Sequence, residues 1–201
     1  PRLFMLSQVQ WDTILARSSL STDNTPLRCL DIGAGCGDLT SQFMHIFKGG
    51  VTATEVSKLM CRRLSEIGIR AIRTMDPTLE KVSPDLRQFD AVLCLNVLDR
   101  CQSPNDLLKR IAELVKPGGT AVVSIPLPLA QLDASKEAGS HQQERLVLSN
   151  NSSFEEAASC FWSEFLKPTG FFNLAAFTRC PYICTGPIGD PILPLDDMHE
   201  L

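Results

Sequence analysis

What the sequence has little of narrows its class first. None of its 201 residues fall in an apolar run long enough to span a bilayer, so no membrane span is expected. Pro1 to Trp11 lacks the basic, apolar and small-residue order of a secretion signal. The chain begins without an initiator Met, as expected of a processed or trimmed form, which leaves a removed targeting segment open. Lys and Arg form no cluster with interleaved aromatics, and 19 of them against 23 Asp and Glu give a net charge of -4, which argues against nucleic acid as a partner. Histidine occurs only at His45, His141 and His199, on a predicted helix, a loop and the tail, too dispersed for a metal site. The eight cysteines include no C-x-x-C pair and are expected to be mostly buried free thiols.

What is there reads as alternating strands and helices. With 44% hydrophobic and 21% charged residues the chain can bury one core, so a single domain over residues 1–201 is expected. Strands are predicted at Arg28 to Ile32, Gly50 to Glu55, Arg70 to Arg73, Phe89 to Leu95 and Thr120 to Ile125. Helices are predicted at Leu39 to Phe47, from a Ser57 cap to Ile67, and over Asn105 to Val115, stopped by Pro117 and Gly118. Such alternation implies an α/β fold with a doubly wound, mostly parallel sheet covered on both faces. Residues 1–26 read as a helical lead-in, 27–126 as the cofactor-binding core, and 127–153, polar and aperiodic, as a loop or insertion. The remainder, 154–201, reads as a substrate-side helix at Phe154 to Leu166 and a strand at Phe171 to Thr178. No clear apolar strand follows Gly186, so a shortened last strand is expected.

The run CLDIGAGCGDLT, Cys29 to Thr40, sets Asp31, Gly33, Gly35 and Gly37 between the first core strand and its helix. Glycines there allow backbone shapes and ligand approach that a side chain would block, although tight turns use glycine for structure alone as well. The third glycine arrives one residue too early for the dinucleotide fingerprint, and an acid precedes the run. That acid suits a cationic ligand group better than a pyrophosphate; S-adenosylmethionine offers such an ammonium. Glu55, about 20 residues past the glycines, is placed to accept hydrogen bonds from ribose hydroxyls, or is an ordinary polar strand end. Met75 and Asp76, after the third core strand, are candidates for an apolar contact and an acceptor toward adenine.

The run CLNVLDRC, Cys94 to Cys101, follows the most apolar strand and carries Asn96, Asp99 and Arg100 where a parallel sheet opens its ligand crevice. Methyl transfer from a sulfonium is a direct displacement, so the protein must align a nucleophile's lone pair; Asn96 suits orientation and Asp99 suits attracting or taking a proton. Both residue types also cap helices and turns, and that reading stays open. FTRCPYIC, Phe177 to Cys184, holds Arg179 and the single tyrosine, Tyr182, either bordering an acceptor pocket or ending a core strand.

Together LDIGAGCGDLT, TATEVS, CLNVLDRC and FTRCPYIC, in this order and spacing, resemble the DREV-type methyltransferases, the protein-histidine N-pros methyltransferases. The resemblance runs from the glycine loop through Cys184, with a fainter likeness in FMLSQVQW, Phe4 to Trp11. It implies a class I, Rossmann-like S-adenosylmethionine-dependent methyltransferase acting on His-x-His motifs with a small middle residue. On these positions it implies Asp31, Gly33, Gly35 and Glu55 at the cofactor and Asn96 and Asp99 orienting and activating the acceptor imidazole, with Tyr182 beside it; Gly37, Met75, Asp76 and Asn96 complete the candidate cofactor set. Arg100, Arg179 and Tyr182 would meet the substrate, protein or peptide. An intracellular compartment is implied, with endoplasmic reticulum and mitochondrion both open. Two other readings stand beside this one: a methyltransferase for another acceptor, and a catalytically silent binding module on the same fold.

Overall fold

Seven consecutive residues, Phe89–Leu95, are all buried, which only a strand covered on both faces allows. In the computed structural model, residues 3–4, 6–17, 20, 25–129, 146–180, 183–184 and 193–194 are described. The elements run β1 (Leu3–Phe4), α1 (Gln8–Arg17), β2 (Cys29–Ile32), α2 (Thr40–Phe43), β3 (Val51–Glu55), α3 (Lys58–Glu66) and β4 (Arg70–Arg73). There follow α4 (Leu79–Val82), β5 (Phe89–Leu95), α5 (Pro104–Leu114), β6 (Val115–Ser124), α6 (Phe154–Cys160), β7 (Ile183–Cys184) and β8 (Leu193–Pro194). Five strands form a parallel sheet in the order β4-β3-β2-β5-β6. A separate antiparallel sheet, β1-β7-β8, ties the N-terminal segment to Ile183–Cys184.

The alternation of a strand divides the core between the two faces of β5. Ala91, Leu93 and Leu95 join Trp11 and Leu15 of α1 and Phe43 and Phe47 beyond β2, with the Trp11 and Phe43 rings edge to face at 5.1 Å. Val92 and Cys94 meet Leu107, Leu108, Ile111 and Leu114 of α5 on the other face. Those four lie at the i, i+1, i+4, i+7 positions of one helical stripe, which explains why α5 docks there. Ser103 caps α5 by accepting from Asp106 N, Pro104 opens its first turn, and Ser57 caps α3 in the same way through Met60 N.

Several expectations need correction. The helix expected over Leu39 to Phe47 is α-helical only for Thr40–Phe43 and tightens to a 3₁₀ turn at Met44–Ile46, which swings Phe47 under Phe43 at 6.2 Å. β6 starts at Val115, not Thr120: Phe89 pairs with Val115 and Ala91 with Thr120, so Lys116–Gly119 bulges opposite Asp90, where Lys116 is ion-paired to it. The segment expected as a strand over Phe171 to Thr178 is irregular. Phe171 and Asn173 to Thr178 are all exposed, with no alternation of faces, and no strand pairs with the segment among the described residues. The helix expected through Leu166 is α-helical to Cys160 and continues as a π-turn, Phe161–Leu166, and a 3₁₀ turn, Lys167–Thr169. The lead-in is not wholly helical, since β1 precedes α1. The ends of the predicted 127–153 loop are clamped: Leu129 N donates to Asn151 Oδ1 and Asn151 Nδ2 donates to Leu129 O, both at 2.7 Å. Of the seven cysteines whose side chains are described, all free, only Cys29 and Cys94 are fully buried.

If α5 docks through this stripe, Leu108→Ala should cost about 2–5 kcal/mol of unfolding free energy in a urea titration, and Ser103→Ala about 1 kcal/mol. A loss near zero for Leu108→Ala would contradict the packing.

Candidate active site

The strand order reverses between β2 and β5, so the loops leaving their carboxyl ends diverge and open a crevice. On the β2 side stands the glycine loop; on the β5 side stands Asn96–Cys101. The two touch. A Cβ built on Gly33 would lie 2.5 Å from Cγ2 of Val97.

The three glycines have separate duties, all at positive φ. Gly33 (φ +70°) lets Val97 close over it, and Gly37 (φ +87°) lets Ile67 and Leu64 pack close, at 2.7 and 3.0 Å from a built Cβ. Gly35 (φ +57°) faces open space, with nothing within 4 Å of such a Cβ, and its N–H donates to Glu55 Oε2 at 3.0 Å. Gly35 is therefore the glycine whose missing side chain leaves room for a ligand.

Glu55 ends β3, and its Oε1 also accepts from Val56 N at 2.8 Å and Ser57 N at 2.9 Å. Three of roughly four acceptor sites on the carboxylate are thus occupied, leaving about one for a ribose hydroxyl. Past it, Val56, Arg73, Thr74 and Met75 line a depression of about 360 Å³, with Met75 68% exposed. Asp76 turns its carboxylate toward Lys81 (3.1 Å) and Arg110 (3.3 Å) instead of into that depression.

Asp31 is 2% exposed and Thr40, wholly buried, donates its hydroxyl to Asp31 Oδ2 at 2.6 Å. Burial pushes the Asp31 carboxyl up to about 7 against the opposing pull of that hydrogen bond. An ionised carboxylate buried on the strand that leads into the glycine loop is a strong attractor for a single cation.

Across the crevice, Asn96 takes a left-handed backbone (φ +56°), which asparagine tolerates better than most residues. Its N–H donates to Ser124 O at 2.9 Å, and its Oδ1 accepts from Ser124 Oγ at 3.3 Å, so the end of β6 fixes it. Asp99 accepts from Arg100 Nη2 at 3.1 Å through Oδ2, while its Oδ1 is buried with no hydrogen-bond partner among the described residues. A carboxylate oxygen in that condition is costly unless something supplies a donor. Arg179 stacks over Phe154 at 4.4 Å and pairs with Glu155 at 3.5 Å, at the start of α6. Tyr182 lies outside the described residues. Sequence reasoning missed Thr40, Val97 and Ser124; a polar residue at the start of the helix after a glycine loop was the one available signal, for Thr40. No group of His, Cys, Asp and Glu suited to a metal occurs among the described residues.

A glycine loop and an acidic strand end facing a polar loop across the switch point define a class I, Rossmann-like S-adenosylmethionine-dependent methyltransferase fold. The chain belongs to the DREV methyltransferase family, whose model matches residues 1–199. It is also similar to a ubiquinone biosynthesis O-methyltransferase of Xanthomonas oryzae pv. oryzae, 29% identical over 126 residues, covering 61% of this chain and 51% of the relative. A protein of the same name from a Caulobacter species is 29% identical over 178 residues, covering 84% of this chain and 64% of the relative. The chain thus spans about half to two thirds of the length of these relatives. Similar solved structures include the CurJ carbon methyltransferase, at 19% identity and TM-score 0.49 over 60% of this chain and 34% of that one. Another is an S-adenosylmethionine-dependent methyltransferase of Clostridium acetobutylicum, at 17% identity and TM-score 0.48 over 61% of this chain and 52% of that one.

The cofactor of this class is S-adenosylmethionine, and the residues fit it. Buried Asp31 suits its ammonium, the open face of Gly35 gives it room, Glu55 has an acceptor site left, and the Met75 depression offers an apolar wall.

Two outcomes test this division of labour. Gly33→Ala should cost at least about 2 kcal/mol of stability, since it adds a clash to the left-handed strain. Gly35→Ala should cost only about 1 kcal/mol yet weaken S-adenosylhomocysteine binding, read by calorimetry, by roughly tenfold or more. Equal stability losses with unchanged binding would reject the assignment. The second concerns pH. The folded chain keeps the Asp31 proton up to about pH 7, whereas an unfolded aspartate releases it near 3.8, so Asp31 makes stability fall as pH rises through that window. Above it the cost is complete, at most about 4 kcal/mol. The stability advantage of Asp31→Asn over the parent chain should therefore widen between pH 5 and pH 8; a constant difference would show that Asp31 is ionised throughout.

Proposed function

We propose that this chain is an S-adenosylmethionine-dependent protein-histidine N-pros methyltransferase acting on His-x-His motifs with a small middle residue. The observation that carries the reading is the buried, unpartnered Oδ1 of Asp99, one turn past a rigid Asn96 at the carboxyl end of β5. A neutral imidazole carries one N–H and one nitrogen lone pair. The N–H is the donor that Asp99 Oδ1 lacks, and giving it that partner leaves the other nitrogen free to attack. Regiochemistry then follows from which nitrogen is held as N–H. Bound S-adenosylmethionine supplies an electrophilic methyl on a sulfonium. The chain's own residues do the rest: Asp31 and Glu55 hold the cofactor's two ends, Met75 walls its base, and Asn96 orients the acceptor. Asp99 draws off the imidazole proton as positive charge builds on the ring. In this reading Arg100 sets the Asp99 carboxylate and borders the substrate, and Arg179 and Tyr182 line the peptide side.

The relatives named as ubiquinone biosynthesis O-methyltransferases support a second reading, methyl transfer to a hydroxyl of a small molecule. There Asp99 would have to remove the acceptor's proton before attack instead of as the methyl is transferred. The two readings part on substrate.

Mass spectrometry of His-x-His peptides incubated with the chain and S-adenosylmethionine should show one added methyl on histidine. Asp99→Ala should lower turnover by roughly 100-fold or more with the cofactor still bound, and Glu55→Ala should chiefly weaken cofactor binding. Methylation of a peptide with the motif histidines replaced by alanine, or of phenolic substrates only, would overturn the histidine assignment.

A further inference from the structure

Thr40 is the first residue of α2, nine positions after Asp31, and it is completely buried. Its backbone opens a helix whose preceding residue, Leu39, supplies no side-chain cap, so the Thr40 hydroxyl is not spent on that role. The hydroxyl instead crosses to Asp31 Oδ2 at 2.6 Å, the short distance of a hydrogen bond to an ionised acceptor. From this geometry we propose that Thr40 is a positioning residue that aims the Asp31 carboxylate toward the cofactor's ammonium and favours its ionised form against burial, and so sets the lower pH limit of cofactor binding. The proposal rests on the cofactor assignment and not on the choice of acceptor.

The surroundings leave the task to a neutral donor. Asp31 sits on β2 between β3 and β5, opposite Ala53 on one side and Leu93 on the other, neither of which offers a hydrogen bond from its side chain. The Asp31 carboxylate acts electrostatically on the Cys29 thiol of its own strand and the Cys94 thiol of β5. Burial holds both thiols up and neutral, so neither supplies positive charge. Burial likewise favours the protonated acid at Asp31, and the Thr40 hydrogen bond acts in the opposite direction. A protonated Asp31 has no charge to offer an ammonium. Cofactor binding must then release the Asp31 proton, and affinity falls as pH drops below the range where Asp31 is ionised.

Two ligands separate this effect from packing. S-adenosylhomocysteine keeps the amino-acid end with its ammonium; 5′-methylthioadenosine keeps the adenosine and the sulfur but lacks that end. Calorimetric titration from pH 5.5 to 8.5 should show S-adenosylhomocysteine affinity falling about tenfold per pH unit on the acid side, with 5′-methylthioadenosine nearly flat. In Thr40→Val, which keeps the shape and removes the hydroxyl, the acid limb should move up by about one pH unit, losing roughly tenfold of S-adenosylhomocysteine affinity at pH 7. Its 5′-methylthioadenosine affinity should stay at the parent value, and Thr40→Ser should restore the parent profile. Thr40→Ala serves for the same comparison if the valine variant does not fold. An unmoved acid limb, or an equal loss for both ligands, overturns the proposal. If the parent chain binds neither ligand, the cofactor assignment itself falls and the role of Thr40 with it.

Discussion

The site depends on the pairing of β2 with β5. Because β5 is buried over its whole length, its register against β2 is held by apolar contacts on both faces, Leu93 toward α1 and α2 and Val92 toward α5. A slip of one residue would exchange those faces and is strongly resisted. That register decides where the two strands end together, at Ile32 opposite Cys94. From there the glycine loop and the Asn96 loop diverge, yet Val97 still closes over Gly33. The crevice is consequently a product of the core: whatever loosens the α5 stripe or the Trp11 and Phe43 cluster also loosens the distance between cofactor loop and reaction loop.

The fold spends stability at this crevice. Asp31 is buried without a cation, and one oxygen of Asp99 is buried without a donor. Neither arrangement helps the free chain. Under the proposed function, both become favourable when a positively charged group and an N–H arrive, so that groups costly to the fold supply binding and orientation to the ligands. Thr40 and Arg100 are the partial compensations, each bonding one oxygen of its carboxylate and leaving the other for a ligand.

The legible parts of the sequence were those governed by local rules. β2 through β5, the Ser57 cap and the body of α5 were readable because apolar periodicity and capping act over a few residues. The early start of β6 was not, since it needs the bulge opposite Asp90 and the Lys116 pairing, both set by a neighbouring strand. The run from Phe171 carried strand-like composition, but a strand exists only with a partner. β1 was likewise invisible, being two residues defined by pairing with Ile183–Cys184. In the site, residue types and their order pointed to the loop and to Asn96 and Asp99. What they did not reveal was the division of duties among three glycines, the turning of Asp76 toward Arg110, and the hydroxyl of Thr40. Each of these is a three-dimensional contact between segments distant in sequence or between a loop and its covering helix.

The cofactor side of the site and its acceptor side answer to different requirements. The cofactor's needs are the same whatever the acceptor: a cation attractor, a backbone opening, a ribose acceptor and an apolar wall, all supplied between Asp31 and Met75. The acceptor's needs differ. A hydroxyl must lose its proton to become a nucleophile, which calls for a base with a high proton affinity at the moment of attack. A neutral imidazole already has its lone pair and needs only to be held by the opposite nitrogen. In the proposed function, a carboxylate that accepts from Arg100 on one oxygen has its other, buried oxygen to offer an N–H. Under the proposed function, discrimination between acceptors rests on Asp99 and its arginine, outside the stretch from Asp31 to Met75 assigned to the cofactor.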